Sequence, residues 1–266
     1  MNNNKLCNLV SKTVNQLLAE IQYVIKTSIL DNSVGVAFSG GVDSTLIAKL
    51  LHDAGYDIHL LTTGFHDSHD INFAKEVNEI LKFKHNILEI EPKSFQETSE
   101  KIHDIIKTDN LSWNENSIAF YYVSKLAKSL GISKVITANG IDELFCGYNS
   151  YREAISISEN EVQKMMDLKL QNEKDMMFAV NNVSSEFGVT IVQPLLTDSF
   201  IDYAKTISIS KKIHGPDDLL RKHVIRELAI ECNVPKISAY KQKKALQYGT
   251  QTVSYTHLTL PTILLV

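Results

Sequence analysis

The chain of 266 residues contains three cysteines, Cys7, Cys146 and Cys232, and no two of them form a CxxC pair. Neither a zinc knuckle nor a disulfide framework is supported by so few and so scattered thiols. No apolar run reaches the ~18 residues a membrane-crossing helix needs, so no transmembrane segment is expected. The N-terminus lacks the charged-then-apolar pattern of a secretory signal. A reducing cytoplasm is therefore the expected compartment. Basic residues are not in excess: Lys and Arg number 27 against 31 Asp and Glu, for a formal net charge of -4. That balance argues against a general binder of polyanions. What the chain does have is 44% hydrophobic residues, enough for a sizeable core. Its length fits one large domain or two small ones.

The apolar pattern alternates between two periods. Leu6, Leu9, Val14, Leu17, Leu18, Ile21, Val24 and Ile25 fall at helical spacing over residues 5–30, and Asp31-Asn32-Ser33 breaks that run. Strands are predicted over 34–38, 58–63, 86–90 and 134–137. Helices are predicted between them, with Asp70 as a cap for one, Ser94 and Glu97 as a capping box for the next, and a further one over 114–130. Alternating strands and helices predict an α/β fold: a parallel twisted sheet with helices on both faces. Right-handed crossovers then bring the C-terminal ends of the strands to one edge, so that Ser39, Thr63 and Thr137 converge on one crevice. Beyond Tyr148 the pattern is helical only, with segments expected over 159–187, 200–207 and 219–229. The expected organisation is an α/β core over residues 1–150 and a mainly helical C-terminal lobe over 151–252.

Between the first strand and the helix that follows it stands Ser39-Gly40-Gly41-Val42-Asp43-Ser44. A strand-to-helix turn collects an anion on its backbone N–H groups and on the positive end of the helix. Gly40 and Gly41 let the backbone bend sharply and approach a phosphate. Ser39 and Ser44 add hydroxyl donors. Asp43 beside a phosphate calls for a divalent cation between the two. No lysine precedes the terminal serine, which excludes the Walker A loop. A glycine-rich turn without a ligand is the plainer alternative. The hexapeptide resembles the PP-loop of ATP pyrophosphatases, which split ATP to AMP and pyrophosphate. The resemblance implies a PP-loop, adenine nucleotide alpha-hydrolase-like core.

A second motif follows the fourth strand: Thr137-Ala138-Asn139-Gly140-Ile141-Asp142-Glu143-Leu144-Phe145-Cys146-Gly147-Tyr148. It resembles the second signature of asparagine synthetases and β-lactam synthetases, roughly S-G-E-G-x-D-E-x-F-x-G-Y. The match lies at Gly140, Asp142, Glu143, Phe145, Gly147 and Tyr148. The segment from Tyr240 to Gly249, with Lys241, Lys243 and Lys244, is similar to the basic segment near the family's C-terminus, and residues 221–229 resemble the helix before it. The likeness covers about residues 15–250. It implies an asparagine synthase-like amide ligase that forms AMP and pyrophosphate. A carboxylate, by expectation that of aspartate, attacks the α-phosphorus of ATP, and ammonia then attacks the acyl-adenylate. It further implies Mg²⁺ on Asp43 and Asp142. Lys243 is implied as the cation that neutralises the departing phosphates, or Lys244 if the register slips by one. Phe38, Thr63, Thr137 and Ala138 are implied as backbone contacts to the adenosine half of ATP. An N-cap role for Asp142 and a solvated basic run for the lysines are the plainer alternatives.

Three departures stand beside the matches. The family's glutamate is Asn139 here, and the glycine before it is Ala138. An amide does not serve as a general base. The family segment E-x-R-x-P-F-L-D corresponds to residues 190–197, with Thr190, Val192 and Thr197 where the acids and the arginine would stand. The ATP half of the motif set is thus kept, while the carboxylate and amine half is altered. No nucleophilic cysteine follows Met1, so free ammonia, another amine or a separate glutaminase subunit is the expected nitrogen source. A degenerate nucleotide-binding paralogue, or a PP-loop ligase for another carboxylate or a tRNA base, is the alternative. No nucleic acid or membrane partner is expected. His66, Asp67, His69 and Asp70 read as loop polar residues rather than a metal cluster, and Cys146 as a small buried side chain. Residues 253–262 read VSYTHLTLPT, which looks like a translated sequencing-adapter or cloning scar. Residues 253–266 are therefore expected to be a non-native, adapter-derived tail.

Overall fold

The computed structural model describes residues 3–242, with side chains from residue 12 onward. The sequence expectations for Lys243, Lys244 and the 253–266 tail lie outside the described residues. In chain order the elements are α1 (Asn3–Ser28), β1 (Ser33–Ala37), α2 (Val42–Asp53), β2 (Asp57–Gly64), α3 (His69–Leu81), β3 (Lys84–Glu89), α4 (Pro92–Ile106) and α5 (Leu111–Ser129). There follow β4 (Lys134–Ile136), α6 (Ile141–Leu144), α7 (Ser150–Ile157), α8 (Glu159–Ser185), β5 (Thr190–Val192), α9 (Asp198–Thr206), α10 (His223–Glu231) and α11 (Lys236–Ala239).

The five strands form one sheet in the order β3-β2-β1-β4-β5, and every pairing is parallel. Successive residues of a strand face opposite sides of the sheet, and the core divides accordingly. Val36, Leu60 and Ile136 pack into the cluster that includes Leu46, Ile47 and Leu51 of α2. Leu61 and Val135, next to them in sequence, pack with Phe120 and Val123 of α5 and Met176 and Val180 of α8. The central strands β1 and β4 are covered on both faces and read as short apolar runs, whereas β3 at the edge is only partly buried. Each fully buried Leu or Ile in these layers contributes about 1.5–3 kcal/mol relative to exposure.

The strand order also locates the crevice. The chain winds outward through β2 and β3 on one side of β1, then through β4 and β5 on the other. The reversal lies between β1 and β4. Loops leaving neighbouring strands diverge at such a switch point, and ligands bind outside the strand ends there.

Several local expectations differ from the structure. The region beyond Tyr148 is not helical only: Thr190–Val192 forms β5, paired in register with Lys134–Ile136. Three residues are too few for a period-2 pattern to show, and the pairing with β4 is what makes them a strand. Ser68 rather than Asp70 occupies the N-cap of α3, with Asp70 buried in the first turn. No capping box opens α4. Pro92 starts it, where its missing N–H costs nothing, and the Ser94 hydroxyl donates to Glu91 O. The last long helix begins at His223, not near residue 219, because Arg221 and Lys222 both take left-handed backbone angles, φ 49° and 53°.

Candidate active site

A cavity of about 370 Å³ opens at the β1/β4 switch point. Its walls come from the ends of β1, β2 and β4, from α5 and α8, and from the segments around Lys222 and Lys241. Phe38, Ser39, Gly41, Asp43, Ser44, Thr63, Thr137, Ala138, Asn139 and Asp142 all line it. The fold therefore brings the two sequence motifs to one place although about a hundred residues separate their positions.

The 39–44 turn is bonded to itself and to the far end of the chain. Ser39 N lies 3.3 Å from Ser44 Oγ, and the Ser44 hydroxyl is 3.3 Å from Gly41 O. Gly40 has φ 75°, and a Cβ there would meet the Phe73 ring at 3.0 Å, so the turn requires glycine on both counts. The buried hydroxyl of Ser238 reaches Gly40 O at 2.7 Å and Thr45 Oγ1 at 3.0 Å. The short helix α11 is thereby clamped to the turn.

The second motif folds back on itself just as tightly. Glu143 accepts the Gly140 N–H at 3.1 Å and the Tyr148 hydroxyl. Tyr151 donates to Glu143 O at 2.6 Å. Burial, reinforced by the Glu143 carboxylate, holds the Tyr148 phenol well above its ordinary pKa, so Tyr148 remains a neutral donor. Gly147 passes so close to Asp142 that a Cβ would overlap its carboxylate. Arg221 closes the arrangement, donating from Nε and Nη2 to Gly147 O at 3.3 and 3.2 Å.

At the meeting point sits a residue that the sequence reading did not single out. Lys222 is 2% exposed. Its Nζ lies 2.6 Å from Asp43 Oδ2 and 3.0 Å from Asp142 Oδ1. Burial alone would lower the pKa of this ammonium, but the two carboxylates outweigh it and hold the group above its ordinary value. The consecutive left-handed residues Arg221 and Lys222 are uncommon for side chains with a Cβ. They persist because Arg226, also buried, donates to Leu220 O, Arg221 O, Ala239 O and Lys241 O. One guanidinium thus places both the Lys222 and the Lys241 segments.

The two aspartates fit a hard divalent cation. Carboxylate oxygens from two loop ends already converge on a point charge, with the Lys222 ammonium standing where a cation would be shared. Asp142 lies inside α6 rather than at its N-cap, which Gly140 occupies, so the capping alternative for Asp142 does not hold.

Asn139 also has a partner, distant in sequence, that the motif itself does not show. Its Nδ2 donates to Glu173 Oε1 at 2.5 Å. Glu173 is 5% exposed and lines the cavity with Lys169, Asn172 and Met176 of the same α8 face. A carboxylate thus stands beside the position where the amide replaces one. A signal for it was present: Met166, Leu170, Glu173, Met177 and Val180 keep helical spacing and are all buried, so Glu173 is an acid within an apolar stripe.

The profile of the asparagine synthase family matches residues 22–179, more than half of the chain. The chain belongs to the asparagine synthase family. The glutamine-hydrolysing asparagine synthetase of Asparagus officinalis is 29% identical over 243 residues, covering 85% of this chain and 40% of that protein. The glutamine-hydrolysing asparagine synthetase B of Escherichia coli K12 is 27% identical over 256 residues, covering 88% and 45%. The chain thus spans less than half the length of these relatives. An NMN synthetase from Francisella tularensis superposes over 91% of this chain and 76% of its own, with a TM-score of 0.47 and 17% identity.

Within this member of the asparagine synthase family, Lys243 lies outside the described residues. The cations that line the cavity among the described residues are Lys169, Lys222 and Lys241, with no arginine. His66 is exposed and pairs with Glu89 at 2.9 Å, away from the cavity lining, so the His66 to Asp70 stretch gathers no metal cluster among the described residues. Cys146 is buried, and burial pushes its thiol up to about 12, which leaves it un-ionised at neutral pH. No helix among the described residues is long and apolar enough to cross a membrane.

Proposed function

We propose that the chain is an ATP-dependent amide ligase of the asparagine synthetase type, forming AMP and pyrophosphate. The observation that carries the reading is the convergence of the 39–44 turn, Asp142 and buried Lys222 at one point of the switch-point crevice. An anion that entered there would meet the start of α2, its backbone N–H groups and a fixed ammonium. Those features suit the β- and γ-phosphates of ATP. Phe38, Thr63, Thr137 and Ala138 line the neighbouring wall, which supports a reading with the adenosine half against the strand ends.

Attack by a substrate carboxylate on the α-phosphorus expels pyrophosphate, and most of the catalytic demand is to position the reactants and neutralise the leaving charge. Mg²⁺, held by Asp43 and Asp142, would supply charge neutralisation on the phosphate oxygens. Lys222 bridges the two carboxylates in the ion's place, and on its arrival would move aside to supply a further positive charge beside the pyrophosphate, with Lys243 as the second such cation. The amine that attacks the acyl-adenylate must lose a proton. Asn139 lacks a basic site, and Glu173, held at hydrogen-bond distance from it, is the carboxylate in position to accept that proton.

Aspartate and ammonia are the proposed substrates, with a separate glutaminase subunit as an alternative nitrogen source and the cytoplasm as the site of action. Residues 1–150 carry the nucleotide, and residues 151–252 supply Glu173, Lys222 and the basic segment. The altered 190–197 segment, and a lining without arginine among the described residues, favour a second reading, in which the carboxylate is not that of aspartate.

The test is an assay of the protein supplied with aspartate, ATP, Mg²⁺ and ammonia. Stoichiometric asparagine, AMP and pyrophosphate are expected, and Glu173→Gln is expected to lower turnover about 10²–10⁴-fold. ATP–pyrophosphate exchange with a panel of other carboxylates separates the second reading. ATP binding with no AMP from any carboxylate would refute the ligase.

A further inference from the structure

The loop ahead of α10 gathers a second polar cluster, and none of its members lines the nucleotide cavity. His214, Asp218 and His223 each present one ligand atom, and the three atoms lie within 4.8 Å of one another. His223 Nε2 is 2.6 Å from Asp218 Oδ2. The imidazoles of His214 and His223 stack face to face, with centroids 3.5 Å apart and planes 4° apart.

The carboxylate is fixed independently of any ligand. Asp218 Oδ1 accepts the N–H groups of Leu220 and Arg221 at 3.1 and 3.0 Å, and Oδ2 accepts His214 N at 2.9 Å. Burial would raise the pKa of Asp218, but these backbone donors and His223 outweigh it and bring it to about 2. The group therefore offers a full negative charge at neutral pH. Arg152 donates to Pro216 O, and Arg221 donates to Gly147 O and, from Nη1, to the backbone oxygen of Asp218 at 3.3 Å, which leaves the Asp218 carboxylate to His223 and the backbone N–H groups.

We propose that His214, Asp218 and His223 form a three-ligand site for a divalent transition-metal cation of the zinc class. Two imidazoles and one carboxylate are a borderline donor set, which suits Zn²⁺ better than Mg²⁺ or Ca²⁺. Ligand atoms about 2.0–2.1 Å from a tetrahedral ion stand about 3.3 Å apart. The His223–Asp218 contact therefore needs to widen by under about 1 Å. The exposed His214 ring turns from its stacked position to complete the set, and water fills the remaining coordination.

Such an ion would also bear on the nucleotide site. Asp218 holds Arg221 N, Arg221 holds Gly147 O, and Lys222 reaches Asp43 and Asp142. Locking the loop therefore locks the segment that delivers Lys222 into the cavity.

The test uses the full chain stripped of metal and titrated with ZnCl₂ by isothermal calorimetry, with excess Mg²⁺ present. One equivalent is expected to bind, and His214→Ala is expected to weaken the affinity at least about 10-fold. His223→Ala should do the same, whereas Asp43→Asn should leave Zn²⁺ binding in place, which separates this site from the proposed ligase centre. Because His214 is exposed, its variant should retain the wild-type circular dichroism spectrum and thermal transition. A folded His214→Ala variant with unchanged affinity, or wild-type protein with no saturable binding, would overturn the proposal.

Discussion

Replacing Lys222 with Met tests the organisation of the cavity without reference to any reaction. The side chain is 2% exposed, and its ammonium is shared by Asp43 Oδ2 at 2.6 Å and Asp142 Oδ1 at 3.0 Å. Met conserves most of the volume and removes the charge. Two carboxylates would then face each other across a largely desolvated gap with no cation between them. Breaking a buried ion pair on one side costs about 3–5 kcal/mol. At about 2–4 °C per kcal/mol for a chain of this size, the melting temperature should fall by roughly 6–20 °C. The folded pKa of Lys222 is raised, so its contribution is complete at neutral pH and is lost only as pH rises through that raised value. The fall should therefore be the same at any pH near neutrality. Millimolar Mg²⁺ should recover part of it, because a divalent cation restores the missing charge. The decisive measurement is a double-mutant cycle with Asp142→Asn, followed by urea denaturation, and it should show coupling of about 1–3 kcal/mol. Additive single effects, or a melting temperature within about 2 °C of wild type, would show that the triad is not an energetic unit.

Two further perturbations follow from the same geometry. Asn139→Glu restores the family residue but sets a second carboxylate against Glu173, whose Oε1 now accepts from Asn139 at 2.5 Å. The single variant should lose about 1–3 kcal/mol in urea unfolding, and Glu173→Gln in the same chain should recover most of it; equal stability of single and double variants would refute the contact. His85 is the pH-dependent element. Thr62 gives its proton to Phe38 O at 2.7 Å and accepts from His85 Nε2 at 2.8 Å, and burial, aided by Lys75, lowers His85 to about 4. The unfolded ring, near 6.5, binds more protons between those values, so stability should fall as pH drops from about 6.5 to 4. The loss should be about 1–2 kcal/mol after allowing for partial exposure of the ring. His85→Gln should flatten that slope in urea titrations at several pH values, and an unchanged slope would assign it elsewhere.

The sequence by itself determined the class of fold and half of the site. Strand and helix periods stood out because the central strands β1 and β4 are covered on both faces and so are apolar, while the helices between the strands keep one buried stripe. The 39–44 turn and the 137–148 motif were legible because each is a local backbone solution, with glycines where no Cβ fits and polar groups that bond within a few residues. Their meeting was also legible, since parallel strands with right-handed crossovers put their C-terminal ends on one edge. Only the tertiary structure decided what else reaches that edge. Thr190–Val192 became a strand through its register with β4, which three residues do not announce. Glu173 came into the cavity because α8 turns that one acid toward Asn139, across 34 positions of sequence. Lys222 lies 179 positions from Asp43, in a stretch that reads as the start of a helix. Two left-handed residues, held by Arg226 and Asp218, turn it inward instead. Contacts of that range are set by packing and by buried charge seeking its counter-charge: the apolar stripe of α8 marks Glu173 as buried without naming its partner, and nothing periodic marks Lys222.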